Sequence, residues 1–182
     1  MVAEEEDAVA VRNGGGRWDF HWLTDQLAVG ASFPIDRAAE LAGTHGIGAV
    51  IDLRDEDKDD EEALRAAGIE LLHLPTADME AAMPAFLETG VDFVAERMRG
   101  GGKVLIHCQH GIGRSPLLAL CVLVDQGFEP LAALEHAKNR REQISLSEAQ
   151  YHGWAKWLRS RGADAPDYHS FGCIIYRHLA RR

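Results

Sequence analysis

Short apolar runs and longer amphipathic stretches alternate along most of this chain, which is the pattern of an α/β protein. The apolar runs are bounded by glycine, proline or polar residues, as buried strands usually are. The predicted strands are two short ones within residues 18–30, followed by residues 47–53, 69–74 and 103–107, with Pro75 ending the strand at 69–74.

Apolar residues at helical spacing fill the intervals between these strands. The predicted helices span residues 35–45, about 61–67, 83–98, 115–126, 130–141 and 148–159. The helix at 115–126 is apolar almost all round, so we expect it to be buried and central. Ser147 and Gln150 form a capping box at the start of the last helix. Alternating strands and helices predict a three-layer α/β fold, with a central mixed, mostly parallel sheet of about four to five strands flanked by helices.

Size and charge limit the functions that this chain can have. Its 182 residues suit one domain with a sizeable core. No apolar run reaches the length of about 18 residues that a membrane span needs. The net charge of −10 argues against nucleic acid as a partner, because nucleic-acid binding needs a basic face. An anionic ligand must therefore be captured by local groups.

The two ends of the chain differ from its middle. Residues 1–16 combine four consecutive acidic residues with alanine and three consecutive glycines, which predicts a flexible acidic tail. An acidic start is the opposite of a signal peptide, so a cytoplasmic location is expected. The compact domain is predicted to span residues 17–161. Residues 162–182 are predicted to form a C-terminal extension that can include a further helix.

The candidate chemistry lies in one stretch. The strand at 103–107 leads to Cys108 on a loop that contains Gly111 and Gly113, and Arg114 then opens the long apolar helix. Strand, glycine-bearing loop and helix N-terminus together gather backbone N–H groups around an anion. Arg114 can bind two phosphate oxygens at once, and electropositive surroundings favour the thiolate of a cysteine. This stretch is therefore predicted to attack phosphorus.

Positions 107–115, which read His-Cys, five further residues, then Arg-Ser, resemble the signature of the cysteine-dependent protein tyrosine and dual-specificity phosphatases. The resemblance covers about residues 18–158 and includes Asp78, which is placed as the general acid is in the compact dual-specificity group. It implies a protein tyrosine phosphatase-like fold. It also implies hydrolysis of phosphate monoesters through a cysteinyl-phosphate intermediate, with no metal and no cofactor.

The signature gives each residue an expected role. Cys108 would attack phosphorus in line, and Arg114 would bind the equatorial oxygens and follow them into the transition state. The resemblance implies that Ser115 donates a hydrogen bond to the Cys108 sulfur, and that His107 is a structural support that braces the loop. The phosphate-binding positions, besides Arg114, are Gln109, His110, Gly111, Ile112 and Gly113.

The leaving oxygen needs a proton, which a cysteine phosphatase takes from a carboxylic acid on a separate loop. Asp78 is the candidate, because it follows a strand and Pro75 and lies 30 residues before Cys108. The same carboxylate would activate water in the second step. Glu80 is the alternative proton donor.

Four other features have two interpretations each. Residues 55–62 include seven acidic residues and one lysine, and they fit either a divalent-metal site or, as we favour, a solvated loop with an acidic first helical turn. Gln150 could position a water, although its capping role explains it adequately. Arg54 could touch substrate, but a surface arginine is the simpler interpretation. Cys121 could be a second reactive thiol, but within an apolar helix it is expected to be a small buried hydrophobe.

Together these observations predict a phosphoprotein phosphatase for phosphotyrosine, with phosphoserine and phosphothreonine as further candidates. The variable loop positions contain no lysine, whereas phosphoinositide-type relatives commonly have lysines there. One alternative is a phosphatase for a non-protein phosphomonoester, such as a phosphoinositide, sugar phosphate or nucleotide. Another is a phospho-binding module without turnover. A third, sulfur or arsenate transfer, is weakened because it does not need Asp78.

Overall fold

The computed structural model describes residues 18–180, so the predicted acidic tail at 1–16 lies outside the described residues. The strands are β1 Phe20–Trp22, β2 Leu27–Gly30, β3 Ile47–Arg54, β4 Glu70–Thr76 and β5 Lys103–His107. They form one sheet in the order β1-β2-β5-β3-β4. β1 pairs antiparallel with β2, and the other neighbours are parallel. The predicted mixed, mostly parallel sheet is confirmed.

Helices cover both faces of this sheet. Within residues 18–180 the α-helices are α1 Ala38–His45, α2 Glu61–Ala66, α3 Pro84–Arg99, α4 Arg114–Asp125, α5 Pro130–Arg140, α6 Glu148–Ser160 and α7 Tyr168–Ile175, and short 3-10 helices cover Ile35–Arg37 and Arg177–Leu179. Leu41 of α1 and Leu64 of α2 pack with Val50 on one face. The remaining helices pack on the opposite face, which contains the larger core with Ile51 and Ile106. This is the predicted three-layer α/β fold.

α4 is the central helix of the larger core, and ten of its twelve residues are buried. It lies against α3 so closely that a Cβ at Gly90 would come within 2.7 Å of Leu118 Cδ2. Glycine inside α3 therefore permits this close helix contact. Because β5 lies in the middle of the sheet, the loop from β5 to α4 is placed at the carboxyl edge of the parallel strands.

β4 extends beyond its predicted end. It runs through Pro75 to Thr76, two residues further than expected. Proline lacks an N–H for strand pairing, but β4 is the edge strand and Pro75 is exposed, so no pairing partner is lost. The prediction that Pro75 ends the strand was wrong for this reason.

The C-terminal segment packs on the rest of the protein. Phe171 and Ile175 of α7 are fully buried and belong to the larger core. Tyr176 Oη donates a hydrogen bond of 2.7 Å to the carbonyl of Leu146, in the connection between α5 and α6. The predicted domain boundaries remain a prediction. Among residues 18–180, no helix combines the length and the apolar character that a membrane crossing requires.

Candidate active site

The loop between β5 and α4 forms the floor of a small cavity. The cavity has a volume of about 130 Å³ and contains Cys108, Arg114 and Asp78 in its lining. Cys108 is buried, at 3% exposure, directly after the last residue of β5. The structure thus brings the predicted nucleophile, phosphate-binding arginine and proton donor to one place.

The carbonyl groups of the loop 108–113 are engaged by donors outside the loop. The N–H of Ser32 donates to the carbonyl of Gln109 at 3.3 Å, and the N–H of Ser145 donates to that of Ile112 at 2.9 Å. Gly111, at φ +65°, lies so close to Gly30 that a Cβ would come within 2.5 Å of the Gly30 carbonyl oxygen. Only glycine fits this turn, because a side chain would meet both strain and a clash.

Arg141, directly after α5, engages two further loop carbonyls. It is fully buried. Its Nε donates to the carbonyl of Gly111 at 2.8 Å, and its Nη2 donates to that of His110 at 3.0 Å. Its Nη1 donates to the Asp19 carboxylate at 2.8 Å. The sequence indicated Arg141 only as the end of a predicted helix, so this supporting role was missed.

The N–H groups of residues 109–113, in contrast, have no hydrogen-bond acceptor within residues 18–180. A tight turn that keeps its N–H groups unpaired while its carbonyls are bound elsewhere is a nest for an anion. The phosphate-binding positions predicted from the sequence therefore have the unpaired N–H groups that such a role requires. We call residues 108–114 the cradle below.

Replacing Arg141 by methionine should lower the free energy of unfolding by about 2 kcal/mol or more, because two loop carbonyls lose their charged donor. It should also weaken the binding of inorganic phosphate. Chemical denaturation and calorimetric titration measure the two effects. Arg140→Met is the matched control, since Arg140 is exposed. Equal stability and equal phosphate affinity in the two variants would contradict this role of Arg141.

Arg114 is held by a bidentate ion pair. Its Nη1 and Nη2 each donate to the Glu56 carboxylate at 2.7 Å, and Nη1 also donates to the carbonyl of Thr76 at 2.9 Å. Hydrogen bonding to Arg114 lowers the pKa of Glu56 to about 2. Because that pKa lies below the ordinary value of 4.5, the pair is complete above about pH 4.5 and is lost only as the pH falls toward 2. Arg114 Nε is buried and has no acceptor within residues 18–180, so one donor of this guanidinium is unpaired.

Ser115 contacts the sulfur of Cys108. The distance from Ser115 Oγ to Cys108 Sγ is 3.3 Å, and the same hydroxyl lies 3.3 Å from the carbonyl of Gly30. A hydroxyl has one proton to donate. It can therefore donate to the carbonyl while the sulfur is a thiol, and turn toward the sulfur when that becomes a thiolate.

His107 is connected to a buried network of charges. It has no solvent exposure, and its Nε2 lies 2.7 Å from the Asp59 carboxylate. Asp59 also accepts a hydrogen bond of 2.6 Å from Arg54, which donates to Asp52 as well. Burial opposes the ionisation of Asp52, but the hydrogen bonds and charge of Arg54, together with the charge of His107, outweigh it and lower the pKa of that carboxyl. These contacts hold the His107 ring at the strand end that precedes Cys108, as its predicted supporting role requires.

This network corrects two predictions. Arg54 is not a surface arginine, because it is only 4% exposed and its guanidinium lies between buried carboxylates. The segment 55–62 is not simply solvated, since Asp59 is buried and Glu56 binds Arg114. Both interactions depend on residues distant in sequence, which the charge pattern alone does not reveal.

The same network contains a group of carboxylate and imidazole atoms within metal-binding range of one another. Among residues 18–180, this group consists of Asp52, Asp59 and His107. Arg54 donates hydrogen bonds to both carboxylates, so a cation is already present between them. The donor set therefore fits a guanidinium better than a metal ion.

Asp78 lies on the loop that follows β4. Its Oδ1 is 3.4 Å from Arg114 Nη2, and its side chain is 69% exposed. Glu80, the alternative proton donor, is exposed and is not among the residues that line the cavity. The position of the two carboxylates relative to the cavity therefore favours Asp78 over Glu80 as the candidate proton donor.

Gln150 contacts both the start of α6 and the cavity. Its side chain and backbone complete the predicted capping box with Ser147. It also lines the cavity, and a Cβ at Gly113 would lie 2.6 Å from its Oε1. The capping prediction is confirmed, and the side chain additionally lies against the cradle.

The fold and this site define a class of phosphatase-like proteins with a cysteine in a phosphate-binding loop. The family model for the dual specificity phosphatase catalytic domain matches residues 35–159. The chain therefore belongs to the dual specificity phosphatase catalytic domain family.

Two curated proteins and one solved structure illustrate the similarity. Probable protein tyrosine phosphatase type IVA A from Dictyostelium discoideum is 32% identical over 93 residues, which are 50% of this chain and 56% of that protein. Phosphatidylglycerophosphate phosphatase PTPMT2 from Arabidopsis thaliana is 28% identical over 139 residues, 72% of this chain and 60% of that protein. The alignments thus span little more than half of each relative.

The crystal structure of PTPMT1 in complex with PI(5)P has a TM-score of 0.73 to this chain, at 23% identity. The similarity covers 79% of this chain and 99% of that one. At this identity the comparison establishes the shared fold.

Proposed function

We propose that this protein is a phosphoprotein phosphatase that hydrolyses phosphotyrosine, and also phosphoserine and phosphothreonine, through a cysteinyl-phosphate intermediate. The observation that carries the proposal is the cradle, in which the thiol of Cys108 is surrounded by unpaired N–H groups. Phosphate is a tetrahedral anion whose oxygens need several donors at once. The unpaired Nε of Arg114 adds a charged donor at the same place.

In the first step, the Cys108 thiolate attacks phosphorus and the bond from phosphorus to the leaving oxygen breaks. Asp78 gives its proton to that oxygen, which leaves as a neutral hydroxyl. Arg114 and the loop N–H groups bind the three equatorial oxygens, where charge is spread in the transition state. The product of this step is cysteinyl phosphate with Asp78 as a carboxylate.

In the second step, water attacks phosphorus and the sulfur–phosphorus bond breaks. Asp78, now a carboxylate, accepts a proton from this water. Ser115 donates its hydroxyl proton in a hydrogen bond to the departing sulfur, as its distance of 3.3 Å permits. Inorganic phosphate is released, and the protonated acid and the thiolate are restored.

The apolar rim of the cavity favours an aromatic phosphate ester as the substrate. Met79 is 61% exposed and Ile112 is 38% exposed, and both line the cavity with Cys108. An apolar rim beside a phosphate cradle can bury the ring of phosphotyrosine. The loop contains no lysine for a second phosphate group. A cytoplasmic location remains a prediction from the sequence.

A second candidate is a phosphatase for a non-protein phosphomonoester. The observation in its favour is that the relative named as a phosphatidylglycerophosphate phosphatase aligns with 72% of this chain. An apolar rim could also contact the lipid portion of such a substrate. The two candidates share the chemistry of the cradle and differ only in the group beyond the leaving oxygen.

Turnover by the purified protein tests the proposal. We expect hydrolysis of an aryl phosphate in buffer with EDTA, because the proposed nucleophile, proton donor and phosphate ligands are all groups of the protein. Profiling should then show higher kcat/KM for phosphotyrosine peptides than for phosphatidylglycerophosphate, phosphoinositides, sugar phosphates and nucleotides. Preference for one of the non-protein substrates would favour the second candidate. Phosphopeptide binding without any turnover would indicate a binding module instead.

Asp78→Asn should slow hydrolysis of phosphotyrosine by about 10²–10⁴-fold, the usual contribution of a general acid. A substrate whose leaving group is already a stable anion should lose much less, because it needs little protonation. A series of aryl phosphates with increasing leaving-group pKa measures this dependence. Glu80→Gln is the control and should retain activity. Equal losses across the series would mean that Asp78 does not donate the proton.

A further inference from the structure

The loop that carries Asp78 is held by the start of α6. Ser147 Oγ donates a hydrogen bond of 2.6 Å to the carbonyl of Met79, the residue after Asp78. Gln150 Nε2 donates to the carbonyl of Glu80 at 3.4 Å. Two successive loop carbonyls are therefore held by one turn of one helix.

The backbone of this loop is unusual at the position that Ser147 contacts. Met79 has φ +65°, and it is the one non-glycine residue with positive φ within residues 18–180. Such a conformation is costly for a residue with a side chain and persists only where surrounding contacts impose it. The hydrogen bond from Ser147 to the Met79 carbonyl is such a contact.

α6 also approaches the loop closely one turn later. A Cβ at Gly153 would lie 2.4 Å from the Cβ of Ala81, so glycine is required for this approach. At its other side, the same end of α6 touches the cradle, because Gln150 Oε1 would lie 2.6 Å from a Cβ at Gly113. One helix end is thus the common support of the acid loop and the cradle.

We propose that Ser147 is a positioning residue that keeps the Asp78 loop closed over the cradle, so that Asp78 can protonate the leaving oxygen. This inference rests on the proposed function, and it names the hydrogen bond that holds the loop with the proton donor in place. Loss of the Ser147 hydrogen bond should therefore impair proton donation by Asp78 and leave phosphate binding intact.

Ser147 has a second role that a test must separate from the first. It is the N-cap of α6, and its Oγ accepts a hydrogen bond of 3.1 Å from the N–H of Gln150. A hydroxyl can accept that bond and donate to Met79 at the same time. Aspartate is as good an N-cap as serine, but its carboxylate cannot donate to a carbonyl. Threonine can do both.

Ser147→Asp should therefore keep the thermal unfolding midpoint of the wild type, and Ser147→Gly, which adds no charge, should keep its affinity for inorganic phosphate. Ser147→Asp should lower kcat for phosphotyrosine by about 10–10²-fold, since a misplaced acid loses part of its contribution. Aryl phosphates with good leaving groups should be affected little. Ser147→Thr should restore the wild-type dependence on the leaving group. If Ser147→Asp does not fold, Ser147→Gly tests the same point, because glycine is also tolerated as an N-cap.

A double variant makes the test specific to Asp78. With Asp78 already replaced by asparagine there is no proton to place, so adding Ser147→Asp should cause no further loss. Hydrogen exchange of residues 78–82 should be faster in Ser147→Asp, with the cradle unchanged. Additive losses, or equal slowing of good and poor leaving groups by Ser147→Asp, would overturn the proposal. Failure of the wild type to turn over any phosphate ester would instead overturn the proposed function.

Discussion

Cys108→Ser is expected to remove turnover completely while keeping the ability to bind phosphate. The substitution retains the shape of the nucleophile, but a serine hydroxyl is not ionised at neutral pH and cannot replace a thiolate. The N–H groups of the cradle and Arg114 do not depend on the sulfur, so they should still bind the anion. Steady-state hydrolysis of an aryl phosphate and calorimetric titration with a phosphotyrosine peptide measure the two properties.

The other two cysteines provide the control for this experiment. Cys173 is exposed, so Cys173→Ser should behave as the wild type. Cys121 is buried in α4, and its burial raises the pKa of its thiol well above the ordinary value, so it remains an inert thiol. Residual turnover in Cys108→Ser that exceeds the rate of buffer alone would contradict the proposed intermediate.

The elements of the fold could be predicted because each depends on a local pattern. β5 is predicted with the bounds that the structure shows, since a short apolar run lies between a glycine cluster and Cys108. The capping box of α6 is likewise a relation between residues three apart. Pro75 shows the limit of local rules, because whether proline ends a strand depends on the strand's place in the sheet.

That Cys108, Arg114 and Asp78 meet at one cavity could be expected, because the resemblance matches them by spacing. The residues that support them could not. Arg141 reaches the loop from 30 residues further along the chain, and Arg54 is buried only because Asp52 and Asp59 surround it. A sequence shows the charge of such residues, but not the partner that makes burial possible.

The supporting residues make the proposed anion binding compatible with an acidic net charge. The net charge of −10 does not attract phosphate. Within the cradle, however, the donors are fixed by contacts on their far side, by Arg141 to the loop carbonyls and by Glu56 to Arg114. Donors that are already oriented need no rearrangement when the anion binds. In the proposed function, the orientation of local donors therefore replaces long-range electrostatic attraction.

Replacing Arg114 by lysine should reduce kcat by about 10³-fold or more, nearly as much as replacing it by alanine. Glu56 and the Thr76 carbonyl fix the two Nη groups of Arg114, while Nε remains unpaired for the ligand. An ammonium group is a single point charge, so it cannot bind Glu56 on one side and phosphate oxygens on the other in this planar arrangement. The loss should be greatest in the transition state, where the equatorial oxygens move toward one plane.

Arg97→Lys is the matched control, because Arg97 pairs with Glu70 on the exposed surface and not in the cavity. It should retain the wild-type rate. The comparison of Arg114→Lys with Arg114→Ala then separates charge from geometry. If charge alone were required, lysine would recover most of the rate that alanine loses, and the assignment of Arg114 as a planar donor that binds Glu56 and the transferring phosphoryl group together would be wrong. If geometry is required, the two variants will be similarly slow, and both will bind phosphate more weakly than Cys108→Ser.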